Sequence, residues 1–434
     1  MEVSTEKQLT LFPSEFSPDS REHLSTTFLD NMKLPIHRWY RYSAGFSAEW
    51  VKSVLRDHAK KDSLLLDPFA GSGTTMVAAN EWNIPSIGYE KHFFIRRIAE
   101  IKLNHRVDFN RLKKLYHSLV SHAAGDDFDF DFDLQPELLR KCYTPETLKI
   151  LSELKSAYHK TADGTVESEI LWLAITAILR PTSHAGTAQW QYVLPQKSKK
   201  NVLPPLDALA MKFQEFVRDI RDFESREIQP LGRILNFDAR QVHSDFRSCF
   251  DLLITSPPYP NNYDYADATR LEMTFWEDIS GWSDLQEKIR HYLIRSCSQH
   301  TAAERITLDA ILSEAAVNPI RDELTDVCKT LEKVRLEHGG KKTYHTMIAA
   351  YYSDMAKVFL SLRSAMKPNS LVCFVIGDSA PYGVYAPADE WLGRLAMAAG
   401  FTSWTFEKTR DRNTKWKNRK HTVPLKEGRL WIEG

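Results

Sequence analysis

Short apolar runs that stop at polar or glycine-containing turns recur along this chain, separated by long stretches with helical spacing. Leu64-Leu65-Leu66 runs into Asp67, Ser86-Ile87-Gly88-Tyr89 into Glu90, and Arg233–Phe237 into Asp238. Leu252-Leu253-Ile254 stops at Thr255-Ser256, the strand Ser370–Ile376 stops at Gly377-Asp378, and Phe401–Phe406 forms a last run. Runs this short and this apolar predict strands of a buried parallel sheet. Helices are predicted behind Ser47, from about Thr74, over Phe94–Leu103, Leu112–Ala124, Leu138–Lys141, Pro145–Tyr158, Glu167–Leu179, 205–226, Tyr344–Leu362 and Glu390–Ala399. The alternation predicts one doubly wound α/β sheet that carries long helical insertions.

Two strand ends carry unusual chemistry. In Asp251-Leu252-Leu253-Ile254-Thr255-Ser256-Pro257-Pro258-Tyr259 the prolines cannot donate to a sheet ladder, so the strand must stop at Thr255 or Ser256. A stiff, polar, aromatic-tipped loop is left at its carboxyl end, where ligands bind in open α/β sheets. The other end is Asp67-Pro68-Phe69-Ala70-Gly71-Ser72-Gly73-Thr74-Thr75, a glycine turn opening a helix. Gly71 and Gly73 permit positive φ and close approach of a ligand to the backbone. There is no lysine for a polyphosphate loop, and Met76 breaks the dinucleotide fingerprint, so the turn fits a nucleoside better than a polyphosphate. Glu90 follows at the distance expected of a ribose-binding carboxylate.

Composition narrows the class. The 434 residues carry a formal net charge of +0, so any nucleic-acid surface must be local. Five scattered cysteines without metal spacing fit a reducing compartment and argue against structural zinc. No apolar run reaches membrane-spanning length, and the N-terminus lacks a signal pattern; the expectation is a soluble cytoplasmic protein without a metal. The densest basic run is 408–421, with Arg410, Arg412, Lys415, Lys417, Arg419 and Lys420 around Trp416. A second basic stretch, of loop composition, spans 180–201 and contains Lys197, Lys199 and Lys200. Both are candidate phosphate contacts, against the plainer reading of solvated segments. Asn261 and Asn262, just beyond the proline loop, have amides suited either to base edges or to bracing the loop.

Taken together, Asp67–Thr75 and Thr255-Ser256-Pro257-Pro258-Tyr259, each at a strand end, resemble the S-adenosylmethionine-dependent amino-methyltransferases of DNA. The resemblance implies a Rossmann-like methyltransferase sheet and methyl transfer from S-adenosylmethionine to an exocyclic base nitrogen in double-stranded DNA. It further implies that Asp67, Pro68, Phe69, Gly71, Gly73, Thr74 and Thr75 form the cofactor loop, that Glu90 takes the ribose hydroxyls, and that Asp238 and Ala239 meet the adenine. Phe46 and Ser47 match the segment placed over the methionine carboxylate, although a capped helix explains them equally well. Ser256, Pro257, Pro258 and Tyr259 become the catalytic loop: Ser256 and a proline carbonyl hold the amino group, and Tyr259 stacks a flipped base. A Ser at the first loop position leans towards cytosine N4 rather than adenine N6. Carbon-5 methylation is set aside because no cysteine follows a proline. A cognate restriction endonuclease or defence system is an expected partner. RNA or protein methylation on the same fold, and a non-catalytic DNA-binding module, are the competing readings.

The expected organisation is a lead-in (1–35), a cofactor-binding half (36–106), a helical insertion (107–230), the catalytic part of the sheet (231–270), a second helical insertion (271–343) and a C-terminal sheet part with a basic segment (344–434). The cofactor loop precedes the catalytic loop, the reverse of the order in many family members that carry this glycine turn.

Overall fold

A computed structural model describes residues 28–123, 128–188, 192–340, 342–412 and 423–434. The strands in chain order are β1 Leu65–Asp67, β2 Ser86–Tyr89, β3 Ala185–Thr187, β4 Val193–Ser198, β5 Gly232–Leu235, β6 Phe250–Thr255, β7 Met366–Gly377, β8 Ser403–Arg412 and β9 Leu425–Glu433. Seven of them form one sheet in the order β5-β2-β1-β6-β7-β9-β8. β5, β2, β1, β6 and β7 are parallel, and β9 runs antiparallel to both β7 and β8. The chain goes from β1 to β2 and β5 on one side, then returns to β6 on the other. The switch point therefore lies between the carboxyl ends of β1 and β6, where an open α/β sheet leaves its ligand crevice. This is a Rossmann-like, mostly parallel doubly wound sheet.

Strand alternation assigns the two faces. Leu65, Leu252, Ile254 and Val375 pack with Trp50, Val51 and Ala78 from the helices Ala48–His58 and Thr74–Glu81. Leu66, Leu253 and Phe374 face the other way, against Tyr344–Ala365 and Ala388–Ala398. The first insertion packs Leu151, Leu154 and Trp172 onto Phe94 and Ile98 of the helix Phe93–Leu103, so one core runs from the sheet-flanking helices into the insertion. The buried Asp219 of helix Pro205–Ser225 accepts from Ile36 N (3.0 Å) and Trp39 Nε1 (3.1 Å) and pairs with Arg38. That clamp fixes the N-terminal segment against the insertion. No helix among the described residues is long and apolar enough to cross a membrane.

Several expected boundaries move. β5 ends at Leu235 rather than at Asp238, because Asp238 turns the chain: its carboxylate accepts from Arg240 N and its carbonyl from Gln241 N. The 180–201 stretch is not all loop; β3 and β4 pair antiparallel within it. β7 begins at Met366, before Pro368, through a register shift against β6. β8 continues to Arg412, which places Lys408, Arg410 and Arg412 on a strand. β9 is absent from the strands expected of the sequence. Its alternation of buried Leu430 and Ile432 with half-exposed Arg429 and Trp431 reads weakly in a run rich in charge.

Candidate active site

Asp67 sits at the switch point with no exposed surface. Oδ1 accepts from Thr255 Oγ1 (2.6 Å) and from Phe69 N (3.0 Å), and Oδ2 accepts from Thr75 Oγ1 (2.6 Å). Burial pushes its carboxyl up to about 6 despite these three donors. Asp67 is thus a positioning residue that joins the end of β1, the first turn of the helix behind it and the end of β6. Thr75 serves that hub, and Gly73 caps the helix at φ +87°. Neither lines the adjoining pocket, and nor does Thr74.

That pocket is walled by Pro68, Phe69, Gly71, Glu90, Asp238 and Ala239, and reaches Ser256 and Pro258 of the proline loop. It gathers these six of the residues expected to bind the cofactor, while Asp67, Gly73, Thr74 and Thr75 stand behind it. Gly71 has φ +51°, a conformation that favours glycine, and its N–H donates to Glu90 Oε2 at 2.9 Å. His92 N donates to Glu90 Oε1 at 2.7 Å. Burial outweighs both bonds and pushes the Glu90 carboxyl up to about 7. Asp238 faces the pocket while its carboxylate pairs with the Arg240 guanidinium (2.8 Å). Tyr89 OH and His92 Nδ1, on residues of the same wall, are buried without a hydrogen-bond partner. Such atoms suit a polar ligand, so carboxylates, unpaired polar atoms, a glycine turn and aromatic walls together fit S-adenosylmethionine.

Phe46 and Ser47 are not on this wall, although Phe46 lines the larger cleft that adjoins it at Ala44 and Ser256. Ser47 Oγ accepts from Trp50 N (3.3 Å) as a helix cap, and Phe46 packs its ring 5.6 Å from that of Trp50. Tyr42 and Ala44 of the same segment reach the nucleoside pocket instead.

On its other side Ser256 opens onto a cleft of about 1160 Å³. Ala44, Ser256 and Tyr265 line both cavities. Pro257, Tyr259, Asn261 and Tyr263 continue the cleft wall, facing residues of the N-terminal segment, the first insertion and β8. Ser256 Oγ donates to Val375 O across a long 3.4 Å and remains half-buried. Arg412 lies over the Tyr259 ring at 5.3 Å, donates to Asp378 O at 2.9 Å and approaches Glu427 at 3.6 Å. Burial, then the Glu427 carboxylate, pushes the Tyr259 hydroxyl above its usual range. Arg180 and the fully buried Glu272 pair at 2.5 Å on the cleft wall, joining the two insertions. Sequence reasoning missed this pair because its partners are far apart in the chain and each looks ordinary alone.

The basic candidates divide. Lys197 and Lys200 are exposed on and beyond β4. Lys199 turns inward, lines the cleft and donates to Arg180 O. Arg410 pairs with the buried Glu427 at 2.7 Å. Lys415, Lys417, Arg419 and Lys420 lie outside the described residues.

Comparison with known proteins adds an independent line. A family model described as DNA methylase, of the N6/N4 class, matches residues 10–100. The type II methyltransferase M.AvaI of Nostoc sp. (strain PCC 7120) is 24% identical over 403 residues, covering 86% of this chain and 81% of that protein. The type II methyltransferase M.BsoBI of Geobacillus stearothermophilus is 22% identical over 409 residues, covering 86% and 79%. M.MjaII of Methanocaldococcus jannaschii, also a type II methyltransferase, is 31% identical over 115 residues, covering 25% and 22%.

Proposed function

From the premise that this chain is an amino-methyltransferase of the N4/N6 family, we propose that it methylates an exocyclic amino group of a base flipped out of double-stranded DNA, using S-adenosylmethionine and acting at cytosine N4. The observation that carries this reading is the position of Ser256, on the wall shared by the nucleoside pocket and the large cleft. S-adenosylmethionine supplies an electrophilic methyl group on a positively charged sulfur. Gly71, Glu90, Asp238 and Ala239 bind and orient its nucleoside end.

On the cleft side, the base amino group is a weak nucleophile because its lone pair is delocalised into the ring. Hydrogen bonds from that group to Ser256 Oγ and to a proline carbonyl draw the nitrogen out of the ring plane and free the lone pair. Tyr259 offers an aromatic face to the extruded base. No strong base is needed before attack, since the amino proton leaves after the carbon–nitrogen bond forms. Positioning and electrostatics supply the acceleration. Lys197, Lys200 and the basic segment after β8 supply phosphate contacts.

Cytosine N4 is preferred because Ser256 occupies the first position of the catalytic loop. The type II methyltransferase names of its relatives support a restriction–modification role, with a cognate endonuclease as partner. Sequencing with modified-base detection, on DNA from cells expressing the wild type or Ser256→Ala, tests the reading. N4-methylcytosine at a fixed motif, absent in the variant, is expected. N6-methyladenine would reverse the base assignment, and unmodified DNA with modified RNA or protein would overturn the substrate.

A further inference from the structure

The second insertion contains a segment that touches both halves of the site. Residues 292–298 run between the short helix Arg290–Tyr292 and the helix Ser298–Glu304. Tyr292, Leu293 and Ile294 form part of the nucleoside-pocket wall, together with Asp238 and Ala239. The Tyr292 ring lies 5.0 Å from Lys91 Nζ, and its carbonyl accepts from Arg240 Nη2 (3.4 Å), the guanidinium that also holds Asp238.

The next residue is locked. Arg295 donates to the buried Asp354 of helix Tyr344–Ala365 from its backbone N (3.0 Å), Nε (3.0 Å) and Nη2 (2.7 Å). Arg240 Nη1 reaches the same carboxylate at 3.4 Å. A buried pair held this way resists displacement, because parting it strands a charge away from water.

Beyond Arg295 the segment turns to the proline loop. Ser296 O accepts from Asn262 N (3.1 Å), while Asn262 Oδ1 accepts from Ser298 N (2.8 Å) and from Ser298 Oγ (2.7 Å). Asn262 has φ +64°, a left-handed conformation that asparagine tolerates better than most residues. It lies three residues past Tyr259, where the loop leaves the site.

We infer that residues 292–298 are a strap that sets the catalytic loop in register with the cofactor-side wall, and that Asn262 is the positioning residue through which the strap acts. The inference rests on the reading of Ser256 as the residue that presents the base to the methyl donor. Methyl transfer is sensitive to displacements of about 1 Å, which cost up to about 100-fold in rate. Thr255 fixes where the loop begins through Asp67, and Ser379 Oγ donates to Pro260 O further along, which leaves the loop exit to be referenced to the cofactor-side wall. The strap provides that reference, since the same few residues wall the nucleoside pocket and hold the loop exit.

Two variants separate this from a merely structural role. Asn262→Gly keeps the left-handed backbone and removes the acceptor; Asn262→Asp keeps both. Single-turnover methyl transfer from S-adenosylmethionine to duplex DNA is expected to fall about 10- to 100-fold in Asn262→Gly. Asn262→Asp is expected to stay within about threefold of wild type, and cofactor affinity within about twofold in both. A second readout needs no turnover. In hydrogen exchange, S-adenosylmethionine is expected to protect both 292–298 and 260–264 of the wild type, but 292–298 alone in Asn262→Gly. Loop protection that persists in Asn262→Gly, or an Asn262→Asp variant as slow as Asn262→Gly, would overturn the strap. Coupled protection in a wild type that methylates no DNA would instead overturn the proposed function and leave the strap standing.

Discussion

Thr255 Oγ1 donates to Asp67 Oδ1 at 2.6 Å, and this bond joins the last residues of β6 and β1 at the switch point of the sheet. Thr255 is followed by Ser256, and Asp67 by the glycine turn, so one buried bond holds the two functional loops together. The Asp67 carboxylate has no exposed surface, and its hydrogen bonds go to the protein itself. In the proposed function its contribution to cofactor binding is carried through the position of the turn.

Removing that carboxylate should cost stability first. Asp67→Ala leaves the Thr75 and Thr255 hydroxyls and the Phe69 amide without their acceptor, at about 1–3 kcal/mol for each buried group left unsatisfied. A loss of about 3–5 kcal/mol by urea denaturation is expected, with cofactor binding lost alongside it. Asp67→Asn keeps an acceptor and can donate to the second threonine, so at pH 4, where the folded Asp67 is protonated, it should fold within about 1 kcal/mol of wild type. The pH trend distinguishes the two proteins. With the folded carboxyl raised to about 6, its stabilising contribution is present below the unfolded value of 3.8 and lost as pH rises through 6. Asp67→Asn lacks this loss and should gain on wild type between pH 4 and 7; parallel pH profiles would contradict a buried, ionising Asp67.

Glu90 predicts a pH dependence of cofactor binding. Its carboxyl titrates at about 7 in the free protein, and ribose hydroxyls donating to it favour the anion. Binding then releases a proton. The Kd for S-adenosylhomocysteine should be flat above about pH 8 and weaken towards tenfold per unit well below 7. Glu90→Gln should bind about tenfold more weakly at pH 8 and lose this component. Calorimetry from pH 6 to 8.5 on both proteins isolates it, since the amino group of the ligand titrates identically against each. A slope unchanged by Glu90→Gln would place the ribose elsewhere.

What the sequence made legible was local. Asp67–Thr75 and Asp251–Tyr259 announce themselves because glycine and proline constrain the backbone where they stand, whatever surrounds them. The strands β1, β2 and β6 are apolar runs that need no partner to be recognised. Arg180–Glu272, Arg295–Asp354 and Asn262–Ser298 depend on partners brought close by the fold, and nothing at either residue signals the other. The sequence around Ser47 fitted two roles, and the cap took the side chain because the Trp50 amide is its near neighbour in the chain. β9 was hidden for a related reason. Glu427 and Arg429 look like solvent-facing charges, yet Glu427 is buried against Arg410 and Arg412.

Those pairings separate the proposed phosphate contacts from arginines braced within the protein. Lys197 and Lys200 are exposed, and each neutralised phosphate contributes about 0.9 to the slope of log affinity against log salt. Lys197→Ala with Lys200→Ala should lower the slope for duplex DNA by up to about 2 and leave cofactor affinity unchanged. Lys417→Ala with Arg419→Ala carries the same expectation. Arg412→Ala should behave differently. Its guanidinium is engaged by Asp378 O, Glu427 and the Tyr259 ring, so the turnover rate should fall while the salt slope changes little. Equal effects on the slope from both β8 and β4 substitutions would erase the distinction.

Ser256 is the sharpest test of the chemistry. Its hydroxyl makes a long bond to Val375 O at 3.4 Å and interacts with the Tyr259 hydroxyl, neither of them a charged partner, so removing it should cost no more than about 1 kcal/mol of stability. Cofactor affinity should also hold, because Gly71, Glu90 and Asp238 remain in place on the pocket wall. In the proposed reaction, Ser256→Ala removes the hydroxyl that accepts from the base amino group as its lone pair turns towards the methyl donor. That interaction strengthens only as the nitrogen leaves the ring plane, so its loss belongs to the rate and not to binding. The single-turnover rate should fall about 100- to 1000-fold, the range for a lost transition-state hydrogen bond. Calorimetric affinities for S-adenosylmethionine and for DNA should stay within about twofold. A variant that retains the full rate would strip Ser256 of its catalytic role. One that loses cofactor binding in equal measure would make the residue a wall of the nucleoside pocket and nothing more.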